Sequence, residues 1–88
     1  MKNTQNKITK ISFLLIEEFS MIAFASALEP LRTANRISKE KLFEWEFLSL
    51  NKQKVFCSNG ISIDTQDLNQ ERLQTDILFV CGGINIKD

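Results

Sequence analysis

The side chains with the greatest capacity for chemistry are few: Cys57 and Cys81, the adjacent carboxylates Glu17 and Glu18, and the hydroxyl of Ser20. The sequence has no histidine, so it cannot build a Cys–His pair, and a reactive thiolate would need some other base or cation beside it. Cys81 stands before Gly82-Gly83, whose amides could meet an anion or a carbonyl oxygen because glycine permits close approach. The plainer alternative is a chain reversal. Without an activating neighbour both cysteines read as small buried hydrophobes with reduced thiols. Two cysteines are a poor disulfide framework, and their spacing fits no metal motif. No metal site and no cofactor are expected.

Ser20 reads as a helix cap whose hydroxyl would also lie at the mouth of any crevice there. Glu17 and Glu18 could bind a cationic metabolite or act as an acid–base pair. Their alternative role is that of solvated carboxylates favoured by the electropositive start of a helix. Arg32 and Arg36, four apart, could clamp a carboxylate but more commonly mark a solvent-facing side. Phe43, Trp45 and Phe47 could cage an amine, or simply pack.

The elements that position these residues follow from the apolar pattern. Residues 11–16 form a short apolar run without helical period, as expected of a strand covered on both faces. Met21, Phe24, Leu28 and Leu31 then recur at spacings of three and four, which predicts a helix from Ser20 to Arg36, kinked or restarted at Pro30. A second strand spans 45–50, with Glu44 and Glu46 suited to a sheet edge. Residues 55–58 and 61–64 flank Asn59-Gly60, the signal of a type I′ hairpin. Residues 67–73 read as a helical turn or loop, and Asp76 leads into residues 77–81, a second buried strand. The pattern is α/β: a partial Rossmann or flavodoxin-like parallel sheet with its first crossover helix and a small hairpin, the two apolar strands side by side. Ligands of such sheets lie beyond the carboxyl ends of the strands, here residues 17–20 and 81–83.

Composition narrows the class. Eighty-eight residues suffice for one small domain, and 43% hydrophobic with 25% charged residues is ordinary globular usage. Eleven basic residues balance eleven acidic ones, so no global field draws the chain to nucleic acid or an anionic membrane. No run has membrane-spanning length, and the apolar stretch after the polar residues 1–10 is too short for a secretion signal. A cytoplasmic protein with a disordered N-terminal segment of ten residues, and one domain over 11–88, is expected.

Residues 18–36, Glu-Phe-Ser-Met-Ile-Ala-Phe-Ala-Ser-Ala-Leu-Glu-Pro-Leu-Arg-Thr-Ala-Asn-Arg, closely resemble the first helix of GlxA-type regulators. These are AraC-family transcription factors whose amidase-like sensor is of the ThiJ/PfpI group, similar in fold to class I glutamine amidotransferases. Ser58-Asn59-Gly60 and residues 76–83 match in order and spacing, so the resemblance spans about residues 11–83. It implies a truncated ligand-sensing domain for small amine or amino-acid-like metabolites, with Glu18, Ser20, Cys81, Gly82 and Gly83 as candidate ligand contacts. Catalytic members of the group place a glutamate where this sequence has Ser20, and their cysteine elbow lies beyond the segment present, so no catalytic residue is assigned. The alternative is a fragment of a ThiJ/PfpI-group hydrolase or glyoxalase-type enzyme. Nothing in the sequence corresponds to the regulators' paired helix-turn-helix motifs, and direct DNA binding is not expected. Pairing through the sensor is a further implication.

Two buried strands and one good helix leave a sheet face bare, and each large apolar side chain left in water forfeits about 1.5–3 kcal/mol. The isolated chain is therefore expected to be molten, aggregated or completed by another polypeptide.

Overall fold

The structure is a computed structural model that describes residues 7–50, 53–68 and 74–82. In chain order the elements are β1 (Thr9–Leu15), α1 (Met21–Ser38), β2 (Phe43–Ser49), β3 (Lys54–Phe56), β4 (Ser62–Asp64), β5 (Gln66–Asp67) and β6 (Ile77–Cys81). Four strands form a sheet in the order β5-β2-β1-β6, every neighbouring pair parallel. The two apolar runs therefore do lie side by side in the same direction, with Ile11 opposite Ile77 and Leu15 opposite Cys81. Thr9 and Lys10, assigned by sequence to the polar N-terminal segment, already belong to β1.

Side chains alternate across a strand, so Ile11, Phe13 and Leu15 share one face, and their exposures of 2%, 0% and 1% show that it is sealed. In register with them stand Trp45 and Phe47 of β2 and Ile77, Phe79 and Cys81 of β6. A row of phenylalanines results. The Phe13 ring stacks on Phe79 at 5.3 Å and lies 5.9 Å from Phe47, while Phe24 of α1 meets Phe13 edge-on at 5.4 Å. Such aromatic pairs contribute about 0.5–1.5 kcal/mol each beyond area burial. Phe43, Trp45 and Phe47 pack against this core, so of the two readings offered for them packing is the one observed.

The opposite face begins polar. Ser12, 1% exposed, donates from its hydroxyl to Oε2 of Glu46, its register partner on β2, at 2.7 Å. Lys10 Nζ lies 3.9 Å from Glu44. Glu44 and Glu46 stand at an edge as expected, where β5, which reaches only Leu48 and Ser49, leaves β2 without a second neighbour among the described residues. There they bond to β1.

Helix α1 starts as its sequence requires. Ser20 is extended (φ −82°, ψ 120°), and its Oγ accepts from the amide of Ala23 at 3.2 Å, satisfying one orphan donor of the first turn. Of the kink or restart expected at Pro30, the restart does not occur: the helix is continuous to Ser38. Proline deprives the Ser26 carbonyl of its partner, but both residues are exposed, so that oxygen is open to solvent. Lys39 closes the helix in the left-handed region (φ 62°), its amide donating to Asn35 O at 3.0 Å. Phe24 is the buried residue of α1, with Met21, Ala27, Leu28 and Leu31 packed around the same core.

The hairpin forms, but with a different turn. Lys54–Phe56 pairs antiparallel with Ser62–Asp64, yet only Gly60 has positive φ (94°), and Asn59 does not. Gly60 N donates to Cys57 O at 3.0 Å and Cys57 N to Ile61 O at 2.8 Å, which is a three-residue loop ending in a left-handed glycine rather than a type I′ turn. Asn59 Oδ1 accepts from Ile61 N at 3.0 Å, and this Asx-type bond replaces the strain of a second positive φ. Gln66–Asp67 is a short strand, so Asp67 does not belong to the helical turn or loop expected over 67–73; Leu68 is in 3₁₀ conformation, and residues 69–73 lie outside the described residues.

The largest departure concerns β6. It was expected to be buried, but Ile77, Leu78, Phe79 and Val80 are 44%, 43%, 37% and 62% exposed. Its place at the end of the sheet order explains this, because β1 is its sole strand neighbour among the described residues. Its entry is tied down: Asp76 Oδ2 accepts from Lys10 N and Asp76 N donates to Lys10 O, both at 2.8 Å.

Candidate ligand site at the carboxyl ends of the strands

Three chain segments meet where β1 and β6 end and α1 begins. Ile16 N donates to Cys81 O at 3.0 Å, extending the ladder by one bond, and Ser20 N donates to Gly82 O at 3.4 Å. The intervening turn is anchored by Phe19, fully buried and edge-on to Phe24 at 5.5 Å. The hairpin closes on its other side, with Glu18 N donating to Phe56 O and Ser58 N to Phe19 O, both at 2.8 Å. Held from both sides, Glu18 takes φ 71°, a left-handed conformation that few residues bearing a Cβ adopt.

Of the five candidate contacts, this arrangement brings Ser20, Cys81 and Gly82 to one point, and Glu18 to the same turn with its side chain exposed. Gly83 lies outside the described residues. Ser20 uses its hydroxyl as the helix cap and its amide on Gly82. Gly82 is exposed, its φ lies outside the left-handed region, and a Cβ placed there would meet no atom within 4 Å. Neither strain nor crowding within the chain therefore requires glycine at this position.

Cys81 shares the helix-covered face of β6 and packs on the core. Burial pushes its thiol pKa up, so it remains protonated, the opposite of what a nucleophile needs. Cys57 is 2% exposed, and its Sγ contacts Asn59 Oδ1. Arg32 is engaged with Glu29 through Nε and Nη2, at 3.1 and 2.5 Å to Oε1. That contact lowers the Glu29 pKa and raises that of Arg32. The contribution of the hairpin backbone was not legible in the sequence, because carbonyl and amide groups carry no residue-type signal.

Three depressions of about 330–380 Å³ are found elsewhere, the largest lined by Lys10, Lys41, Glu44, Trp45, Glu46 and Gln74. None of the three includes Glu18, Ser20, Cys81 or Gly82. The largest sits at the amino ends of the strands, and its charged walls are already paired as Lys10–Glu44 and Lys41–Glu44. In open α/β sheets binding belongs to the opposite ends. No group of three or more potential metal-ligating side chains occurs among the described residues, and no described helix is long and apolar enough to cross a membrane.

Comparison with known proteins agrees in sequence and in structure. The chain is 40% identical over 77 residues to the HTH-type transcriptional regulator GbdR of Pseudomonas aeruginosa, matching 88% of this chain and 21% of GbdR. It is 41% identical over 71 residues to CdhR of the same organism (81% of this chain, 21% of CdhR). It is 36% identical over 76 residues to GlxA of Rhizobium meliloti (86% of this chain, 24% of GlxA). The crystal structure of an AraC family transcriptional regulator from Pseudomonas putida superposes with a TM-score of 0.80 at 32% identity, over 90% of this chain and 43% of that one. No family model matches the chain. It thus spans about a fifth of the length of the curated relatives it matches. By sequence and by fold, the chain is homologous to one N-terminal segment of GlxA-like, AraC-family transcription regulators.

Proposed function

We propose that the chain contributes the ligand-sensing part of a transcription regulator. In this reading it takes up a small amine or amino-acid-like metabolite at the carboxyl ends of β1 and β6, and catalyses nothing. One observation carries the proposal: the ends of two parallel strands and the capped start of α1 are joined through Ser20 N to Gly82 O, the crevice position at which α/β sheets bind ligands. Glu18, exposed on the same turn, supplies a carboxylate for a cationic amine. Gly82, with open space around it, lets a ligand approach the backbone. Gly83 is proposed to extend that approach, and Cys81 to line the floor as a neutral thiol. DNA binding is assigned to other parts of the regulators, since the described residues hold one α-helix and a helix-turn-helix needs two.

The catalytic alternative of a hydrolase or glyoxalase-type enzyme has less support, because the raised thiol pKa of Cys81 and the absence of histidine oppose nucleophilic chemistry here. The test is calorimetric titration of the protein, purified as its host makes it, with the twenty amino acids and with ethanolamine and putrescine. Saturable binding of at least one, lost in Gly82→Val while the circular dichroism spectrum is retained, is expected. Absence of binding across the panel, or undiminished binding by Gly82→Val, would overturn the proposal.

A further inference from the structure

Asn59 is followed by Gly60, and no other asparagine of the sequence precedes glycine. Before glycine an asparagine side chain is least hindered from closing on the next backbone nitrogen, because no Cβ stands beside the attacking atom. In that ring closure the Gly60 nitrogen gives up its proton and bonds to Asn59 Cγ, the Cγ–Nδ2 bond breaks, and ammonia leaves with the proton. Water then opens the succinimide on either side, giving aspartate or, with one more methylene in the main chain, isoaspartate. Both residues are exposed, and a Cβ built on Gly60 would meet no atom within 4 Å, so there is room for the ring and for water.

The hairpin nevertheless restrains both reacting groups. The Gly60 N–H donates to Cys57 O at 3.0 Å, a bond that is surrendered when the nitrogen loses its proton. Asn59 Oδ1 accepts from Ile61 N at 3.0 Å and from the Cys57 thiol, which pins the side chain that must swing. Cys57 thus holds the nitrogen through its carbonyl and the amide through its Sγ, and it is itself fixed in the core at 2% exposure.

We propose that Asn59 is a site of slow succinimide formation and that the Cys57 thiol is the latch holding it in check. The consequence falls on the turn at Glu18. Glu18 N on Phe56 O and Ser58 N on Phe19 O, both at 2.8 Å, dock the hairpin there, and an isoaspartate directly after Ser58 lengthens the loop that carries the second bond. The proposal stands whether or not an effector binds nearby.

The test incubates the purified, reduced chain and its Cys57→Ala and Cys57→Ser variants at mildly alkaline pH, native and in urea. Peptide mapping follows the mass gain of about one dalton at Asn59, and isoaspartyl methyltransferase labelling counts the isoaspartate. Conversion is expected to be slower in the native chain than in urea. Cys57→Ala is expected to accelerate it by about threefold, the population change that follows loss of a weak S–H donor, while Cys57→Ser keeps a donor and stays near wild type. Amide exchange across residues 54–56 and 62–64, which reports opening of the whole hairpin, is expected to be unchanged in Cys57→Ala. Equal rates in the native and urea-unfolded chains would overturn the proposal. So would equal rates in the alanine and serine variants, or an acceleration accompanied by faster exchange throughout both strands.

Discussion

Asn35 of α1 and Phe43 of β2 are locked together by both backbone polar groups of one residue: Asn35 Nδ2 donates to Phe43 O at 2.9 Å, and Asn35 Oδ1 accepts from Phe43 N at 3.0 Å. The same oxygen accepts from Leu42 N at 2.8 Å. One side chain thus fixes the connection from the last turn of the helix to the start of the second strand, and with it the register that aligns Phe47 with Phe13.

Replacing Asn35 with alanine leaves these half-buried backbone groups without their partner. At about 1–3 kcal/mol for an unsatisfied group, Asn35→Ala is expected to lower the unfolding free energy in urea by about 2 kcal/mol. A change below about 0.5 kcal/mol, the ordinary scale of an unremarkable surface substitution, would show that the clamp does not hold the crossover.

The Ser20 cap gives a milder prediction with a chemical control. Ser20→Ala is expected to cost about 1 kcal/mol through the lost acceptor for Ala23 N, while Ser20→Asp keeps an acceptor and restores most of it. Urea denaturation of the two variants distinguishes this from a role as ligand contact alone, which neither substitution would register as stability.

Glu18 is held at φ 71° by bonds on both sides of its turn. Valine there meets the steric cost of left-handed geometry, and glycine removes it. Glu18→Val is expected to lower stability by about 1–2 kcal/mol, and Glu18→Gly to leave it unchanged or slightly higher. Thermal denaturation reads the order of the two variants; the reverse order would mean that the turn is not left-handed.

Burial raises the Cys81 thiol pKa, and the sign of its linkage follows. The protonated thiol is favoured in the folded state, so its contribution to stability is full below the ordinary thiol pKa and is lost as pH rises through the raised value. Alkylation by iodoacetamide, followed by peptide mapping, is expected to have its midpoint at Cys81 displaced to more alkaline pH than in the urea-unfolded chain. A midpoint displaced to lower pH would mark an activated thiolate and reopen the catalytic reading.

Much of this architecture was legible in the residues because local rules and tertiary structure agree. The apolar runs gave β1 and β6, the three-and-four spacing of Met21, Phe24, Leu28 and Leu31 gave α1, and Ser20 announced its own cap. Disagreements arose where context outweighed local preference. Pro30 stays within a helix because the oxygen it leaves without a partner is open to solvent, and Asn59 avoids positive φ by bonding Ile61 N instead. The exposure of β6 could not be read from its sequence, since an apolar run specifies what a strand can pack against and not whether a neighbour is there. At the candidate site, cap and crevice were visible as residue types, but the docking of the hairpin on Glu18 and Phe19 rests on backbone groups.

The proposed site is tested most directly by residue-level location of binding. An isotope-labelled sample titrated with whichever panel compound binds should show amide chemical-shift changes at Glu18, Ser20, Cys81 and Gly82, and little at Lys10, Lys41 or Glu44. Changes concentrated on Lys10, Lys41 and Glu44, at the amino ends of the strands, with residues 18–20 and 81–82 unmoved, would contradict the site.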